Sequence, residues 1–173
     1  MTTHFCLNCG SALTTCIIEE RERECCPSCG YIHYEQHKIS AGACIEQNGR
    51  LLLVQRGIDP WRGKWYMPAG FIETDEEPHQ AAAREVFEET GLMVETKELA
   101  GVYTYFDDPR GNGIVLLYNA VPIGGEIKTT PEALQVGFFS PAEIGSMQFA
   151  GASADRQVHD WITRSGNGRE GRS

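Results

Sequence analysis

Between positions 70 and 92 the chain reads GFIETDEEPHQAAAREVFEETGL, with Glu88 and Glu89 three and four residues beyond Glu85. In a helix those spacings make neighbours, and each unrelieved like-charge pair costs roughly 0.2–0.5 kcal/mol. A solvated acidic face is the ordinary fate of such a run. The alternative is that the carboxylates converge, with Glu76 close by, as hard oxygen ligands for Mg2+ or Mn2+. These ions keep part of their water shell and complete their coordination with substrate phosphates. Cations held there would offset the repulsion.

A second set of ligating residues lies at the other end of the chain. CLNCG at 6–10 and CPSCG at 26–30 are two C-x2-C-G turns. Four thiolates at this spacing suit a tetrahedral Zn2+, each tight turn presenting two sulfurs and its glycine easing the bend. Cys6, Cys9, Cys26 and Cys29 are the expected ligands, with Cys25 the rival of Cys26. Cys16 and Cys44 read as small apolar residues. Six of the seven cysteines precede position 30, a distribution that suits metal binding in a reducing compartment better than a disulfide framework. About 35 residues bury too little surface to fold unaided, so the metal would supply the missing stability.

The 173 residues have room for one good core and a small accessory module. A formal net charge of −9 argues against nucleic acid as the main partner, because a phosphate backbone calls for a basic footprint. An anionic substrate would need help from metal ions. No apolar run is long enough to cross a membrane, and the first residues lack the pattern of a secretory signal. The cytoplasm is the expected location.

These groups need elements to hold them. From about Lys38, ISAGACIEQ and RLLLVQR are β-prone runs joined by Asn48-Gly49, which favours a two-residue hairpin turn. DPWRGKWYMPAG at 59–70 reads as a structured loop. The acidic stretch behind it is a helix, with Pro78 in its first turn and Gly91 as its stop, Val86 and Leu92 turned to the core. AGVYTYF, GIVLLYNAV, GEI and LQVGFF read as strands, SPAEI as a short helix capped by serine, and SADRQVHDWI as a final amphipathic helix. The expected organisation is a metal-binding module at 1–36, a larger domain at 37–164 and a disordered tail at 165–173.

The stretch from Gly70 to Leu92 resembles the Nudix box, G-x5-E-x7-R-E-U-x-E-E-x-G-U with U apolar. It meets every position through Gly70, Glu76, Arg84, Glu85, Val86, Glu88, Glu89, Gly91 and Leu92. The resemblance implies a mixed-sheet α/β/α sandwich preceded by a zinc ribbon. It also implies metal-dependent hydrolysis of a nucleoside diphosphate linked to another group, with Gly70, Glu85, Glu88 and Glu89 around Mg2+ or Mn2+ and Arg84 orienting a box glutamate. Members of the family often recruit a further glutamate beyond the box as base, and Glu132 suits that role ahead of Glu126 and Glu143. Glu73 is a further candidate for the metal shell.

A ribbon ahead of a Nudix domain resembles the NADH, FAD and ADP-ribose pyrophosphatases. The SQPWPFP-like signature of the NADH enzymes does not occur here, which favours FAD or ADP-ribose. Pro109 follows the box after sixteen intervening residues, a spacing similar to that in ADP-ribose hydrolases of the family, although a turn would equally place a proline there. Trp65, Tyr66, Tyr103, Tyr105 and Phe106 are able to stack on adenine or flavin, Trp65 and Tyr105 being the candidates carried forward, and the alternative for most of them is a place in the core. PAG replaces the more usual two glycines before the box, and Asp75 stands where glycine often precedes Glu76. Related enzymes often dimerise, so a homodimer is an expected assembly. The competing function is a sensor that binds ADP-ribose or a similar ligand without turnover.

Overall fold

The runs SAGACI and LLLV are apolar at consecutive positions because their strands are covered on both faces. In the computed structural model, which describes residues 4–167, β4 (Lys38–Gln47) and β5 (Arg50–Arg56) form a hairpin. Asn48 and Gly49 at its tip have φ of 54° and 73°, the positive pair that a tight hairpin turn requires. Ala43, Ile45 and Leu52 point to one side and pack on Val86. Cys44, Leu51 and Leu53 point to the other and pack on Val158 and Trp161. Strand alternation thus builds two core layers from one hairpin.

The helices behind those layers are α1 (Pro78–Thr90) and α3 (Gly151–Asn167). Between them lies a mixed sheet in the order β10-β5-β4-β9-β8, completed by β8 (Leu92–Tyr105), β9 (Gly113–Gly125) and β10 (Ala133–Phe139). β4 and β9 run parallel from Lys38↔Gly113 to Ile45↔Ala120, and the other pairings are antiparallel. This is the expected α/β/α sandwich. A short helix, α2 (Pro141–Ile144), carries the anticipated Ser140 cap.

Three departures have physical reasons. The loop at 59–70 contains two short strands, β6 (Trp65–Tyr66) and β7 (Ala69–Phe71). β4 and β5 pair with each other only near their turn, at Glu46↔Leu51 and Gln47↔Arg50, and beyond it β7 pairs with β4 while β6 pairs with β5. Gly42 permits this, since a Cβ there would stand 2.5 Å from that of Ala69. β8 begins directly after α1 rather than at Ala100, because its charged first half is an edge strand paired on one side only. GEI forms no strand of its own: β9 ends at Gly125, and Glu126 and Ile127 lie beyond it.

α1 is held by Ala81, Ala82 and Val86, all fully buried. Burying the valine side chain alone contributes roughly 2 kcal/mol. Gly91 ends the helix at φ 78°, its N–H donating to the Phe87 carbonyl at 2.8 Å. α3 runs to Asn167, beyond the start expected for the tail; positions 168–173 of that tail lie outside the described residues. Among the described residues no helix is long and apolar enough to cross a membrane.

Residues up to Gln36 form a separate unit. Its sheet is β1 (Thr14–Ile18), β2 (Arg21–Cys25) and β3 (Ile32–His33). Cys16 and Cys25 are joined by a disulfide across β1 and β2, with a Cα–Cα separation of 6.0 Å. This corrects the reading of Cys16 as a free apolar residue. It also removes Cys25 as the rival of Cys26.

Candidate active site

The two knuckles of the small unit are near copies. The Gly10 N–H donates to the Cys6 carbonyl at 2.8 Å and the Gly30 N–H to the Cys26 carbonyl at 3.0 Å, with φ of 73° and 76° at the glycines. The sulfurs of Cys6, Cys9, Cys26 and Cys29 all lie within 4.8 Å of one another, the pairs Cys6–Cys29 and Cys9–Cys26 at 3.5 Å. Four thiolates at about 2.3 Å from a tetrahedral ion would stand roughly 3.8 Å apart, so the cage fits a zinc-sized ion.

In the larger unit a cleft of about 300 Å3 opens where β4, β5, α1 and α3 meet the loops beside them. Glu85 and Glu89 line it from α1, with Gly70 beneath them. A Cβ on Gly70 would fall 2.1 Å from the Glu85 carboxyl carbon, so the carboxylate occupies the space that any other residue would fill. Any larger residue would displace this carboxylate, so glycine lets the backbone lie directly against the acid.

Arg84 relieves the charge crowding. Its Nη1 donates to Glu85 Oε1 at 2.7 Å and to Glu88 Oε2 at 3.2 Å. Its Nε and Nη2 form a fork on Glu76 at 3.0 and 2.6 Å, and Nη2 also donates to the Phe71 carbonyl at 3.0 Å. The Arg84 bonds, with the Glu73 N–H, draw the Glu76 pKa down to about 2. One guanidinium thereby ties the loop to the helix and aligns three acids.

Glu89 has a different setting. The Ala69 N–H donates to its Oε2 at 3.1 Å and the Tyr66 hydroxyl donates to its Oε1. Burial, reinforced by the charge of Glu85, raises its pKa to about 8 despite these donors. Burial also raises Glu85. Two desolvated carboxylates that resist ionisation together are what a divalent ion would relieve. Tyr66 is itself buried and its pKa is pushed upward, first by burial and then by the charge of Glu89, so it stays a donor.

The structure brings Gly70, Glu85, Glu89, Tyr105 and Glu132 to this cleft. Glu132 is exposed on the segment before β10, whose backbone is tied in by the Gly57 N–H at 2.7 Å. Glu88 points more outward, its side chain 56% exposed. Glu73 is exposed and outside the cleft lining. Trp65 does not line the cleft; it packs edge-on against Phe139 at 4.9 Å, in the core layer. Pro109 is exposed in a turn closed by Gly111 N–H to Asp108 O at 3.0 Å, and its neighbours Asp108 and Arg110 line the cleft instead.

Several lining residues have no signature in the sequence. Arg56 reaches the cleft wall with its Nε on the Pro60 carbonyl at 2.8 Å, and it forms no ion pair among the described residues. Arg110, by contrast, is neutralised by Asp108 at 2.7 Å. Ser153 and Gln157 come from α3, far along the chain.

Residues 36–162 match the Nudix domain family, and residues 4–35 match the family of zinc ribbons found amino-terminal to Nudix domains. The chain belongs to the Nudix hydrolase family. It is 35% identical over 120 residues to an ADP-ribose pyrophosphatase of Methanocaldococcus jannaschii, covering 69% of this chain and 71% of that one. Against an NAD-capped RNA hydrolase of Stutzerimonas stutzeri it is 30% identical over 131 residues, or 76% of this chain and 45% of that one. A Nudix hydrolase structure from Nitrosomonas europaea superposes with a TM-score of 0.79 at 34% identity, covering 98% of this chain and 93% of that one. The Nudix box therefore runs from Gly70 on β7 through α1, and its helical part carries the acids lining the cleft.

Proposed function

We propose that this Nudix hydrolase cleaves the pyrophosphate bond of an adenine nucleoside diphosphate linked to another group, ADP-ribose or FAD rather than NADH, and releases AMP. The observation that carries the reading is the pair of half-buried carboxylates, Glu85 and Glu89, that line a cleft, Glu85 lying against Gly70. Such a pair is costly unless cations are held there. The name of the archaeal relative favours ADP-ribose.

In this reading Glu85, Glu88, Glu89 and the Gly70 backbone hold Mg2+ or Mn2+. Such ions, when bound, polarise the bridging phosphates and lower the pKa of a water. Arg84 keeps Glu85 and Glu88 aligned. The unpaired Arg56 faces the anionic diphosphate, and Glu132 accepts the proton of the attacking water. Tyr105 stacks on the base. Zn2+ sits in the cage of Cys6, Cys9, Cys26 and Cys29 as a structural ion. The same reading makes the protein a cytoplasmic homodimer, and the molar mass from light scattering checks the assembly.

The test is Mg2+-dependent release of AMP from ADP-ribose, FAD, NADH and diadenosine polyphosphates, repeated with Glu89→Gln. Turnover of ADP-ribose or FAD is expected, with a loss on the order of 10^3-fold in the variant at unchanged circular dichroism. Tight binding of ADP-ribose without release by the wild type would favour the sensor reading.

A further inference from the structure

We propose that Gln157 and Ser153 of α3 form a nucleobase-reading site, in which the Gln157 amide pairs with the amino-bearing edge of adenine. The proposal rests on the reading that the cleft takes an adenine-containing diphosphate, and it assigns the group that recognises the base.

Gln157 is 4% exposed and Ser153 8%, yet both line the cleft. Among the described residues neither side chain has a hydrogen-bond partner in the protein. Among the described residues the only fully sealed side-chain polar atom left without one is Arg23 Nε, so the Gln157 amide faces open cleft space rather than solid core. An amide held in a packed wall, without a protein partner and open to a cleft, is available to bond a ligand that enters it. The two residues are one turn apart on the same face of α3, so both can address one ligand.

The chemistry of that wall selects the ligand. α3 lines the cleft with Ser153, Ala154 and Gln157, and Ala150 just before the helix adds to them; none is charged, and the ionic lining groups come from other elements. The first turn of α3 is already engaged, the Ala152 N–H donating to Asp107 Oδ2 at 2.8 Å, so this helix end is not free for a phosphate. The buried side chains of Met67 and Val115 add apolar lining. An uncharged wall with one carboxamide and one hydroxyl fits a flat heterocycle. A carboxamide offers a donor and an acceptor side by side, the complement of adenine's amino group and adjacent ring nitrogen.

The test uses AMP, its 6-deamino analogue and ribose 5-phosphate in calorimetric titrations of the full chain, so that no turnover is needed. The wild type is expected to prefer AMP over the 6-deamino analogue by about ten-fold. Gln157→Leu should lose that preference while binding ribose 5-phosphate as the wild type does. Gln157→Glu, of the same size but without the amide donor and acceptor pair, should lose it too. Retention of the AMP preference in both variants would overturn the proposal, as would a loss confined to ribose 5-phosphate, which would make this a sugar site. Failure of the chain to hydrolyse any dinucleotide would count against the enzyme reading, whereas AMP recognition is scored here without it.

Discussion

The two ligand clusters of this chain solve the same problem, crowded anions, in opposite ways. The thiolate cage is local and symmetric: two copies of one knuckle, each shaped by its own backbone, bring four sulfurs within 4.8 Å of one another. The carboxylate site is dispersed and asymmetric. Glu76, Glu85 and Glu88 share one arginine, which offsets only part of their charge, while Glu89 is desolvated and held by a tyrosine and a backbone amide from the preceding segment. A cage with all its ligands in place suits a structural ion, and a site with charge left over suits ions that exchange and share their coordination with a substrate. The contrast teaches that ligand count matters less than how much charge the protein itself has already compensated.

Three changes should separate the clusters. The largest effect is expected at the cage. Structural zinc supplies on the order of 10 kcal/mol of folding free energy to such modules. Cys26→Ser with Cys29→Ser should therefore abolish retained zinc, measured by metal analysis after dialysis, and remove amide-exchange protection up to Gln36. Protection in the Nudix domain should persist. Equal loss of protection in both units would contradict the division of labour.

Next comes Gly70→Ala. The added Cβ would meet the Glu85 carboxylate at 2.1 Å and push it from its seat, so turnover should fall about 10^2-fold, the cost of a misplacement near 1 Å. The melting temperature should shift by only a few degrees. A fully active variant would show that Glu85 need not lie against this backbone.

The smallest effect concerns charge left uncompensated at Glu89. Its pKa is raised from 4.5 to about 8, so between those values the folded chain keeps a proton that the unfolded chain has released. Stability of the metal-free protein must then fall as pH rises through that window. Glu89→Gln removes the penalty. At pH 8 it should be more stable than wild type by on the order of 2 kcal/mol without metal, with little difference at pH 5, as read from urea unfolding. A variant that is less stable at both values would show that Glu89 is structurally compensated.

The sequence made the helix, its glycine stop, the hairpin at Asn48-Gly49 and all four cage cysteines legible, because each is written in adjacent residues with a local physical cause. What it concealed depends on packing between distant segments. Tyr66 reads as an aromatic like any other until β6 and β7 take up the free edges of β4 and β5 and bring its hydroxyl to Glu89. Trp65, its neighbour, alternates to the other side and joins the core. Gln157 sits within an amphipathic helix where an amide is unremarkable, and only the cleft beside it makes it informative. Cys16 and Cys25 lie nine residues apart, and it is the pairing of their strands that brings them together.

The central claim is that Glu85 and Glu89 are poised to take up divalent ions. Calorimetric titration of Mn2+ at pH 6.5 and pH 8.5, in buffers of different ionisation enthalpy, tests it most directly. The account predicts proton release on binding at pH 6.5, tighter binding at pH 8.5, and loss of both in Glu85→Gln and Glu89→Gln. Mn2+ binding that is independent of pH and unchanged in those variants would contradict it.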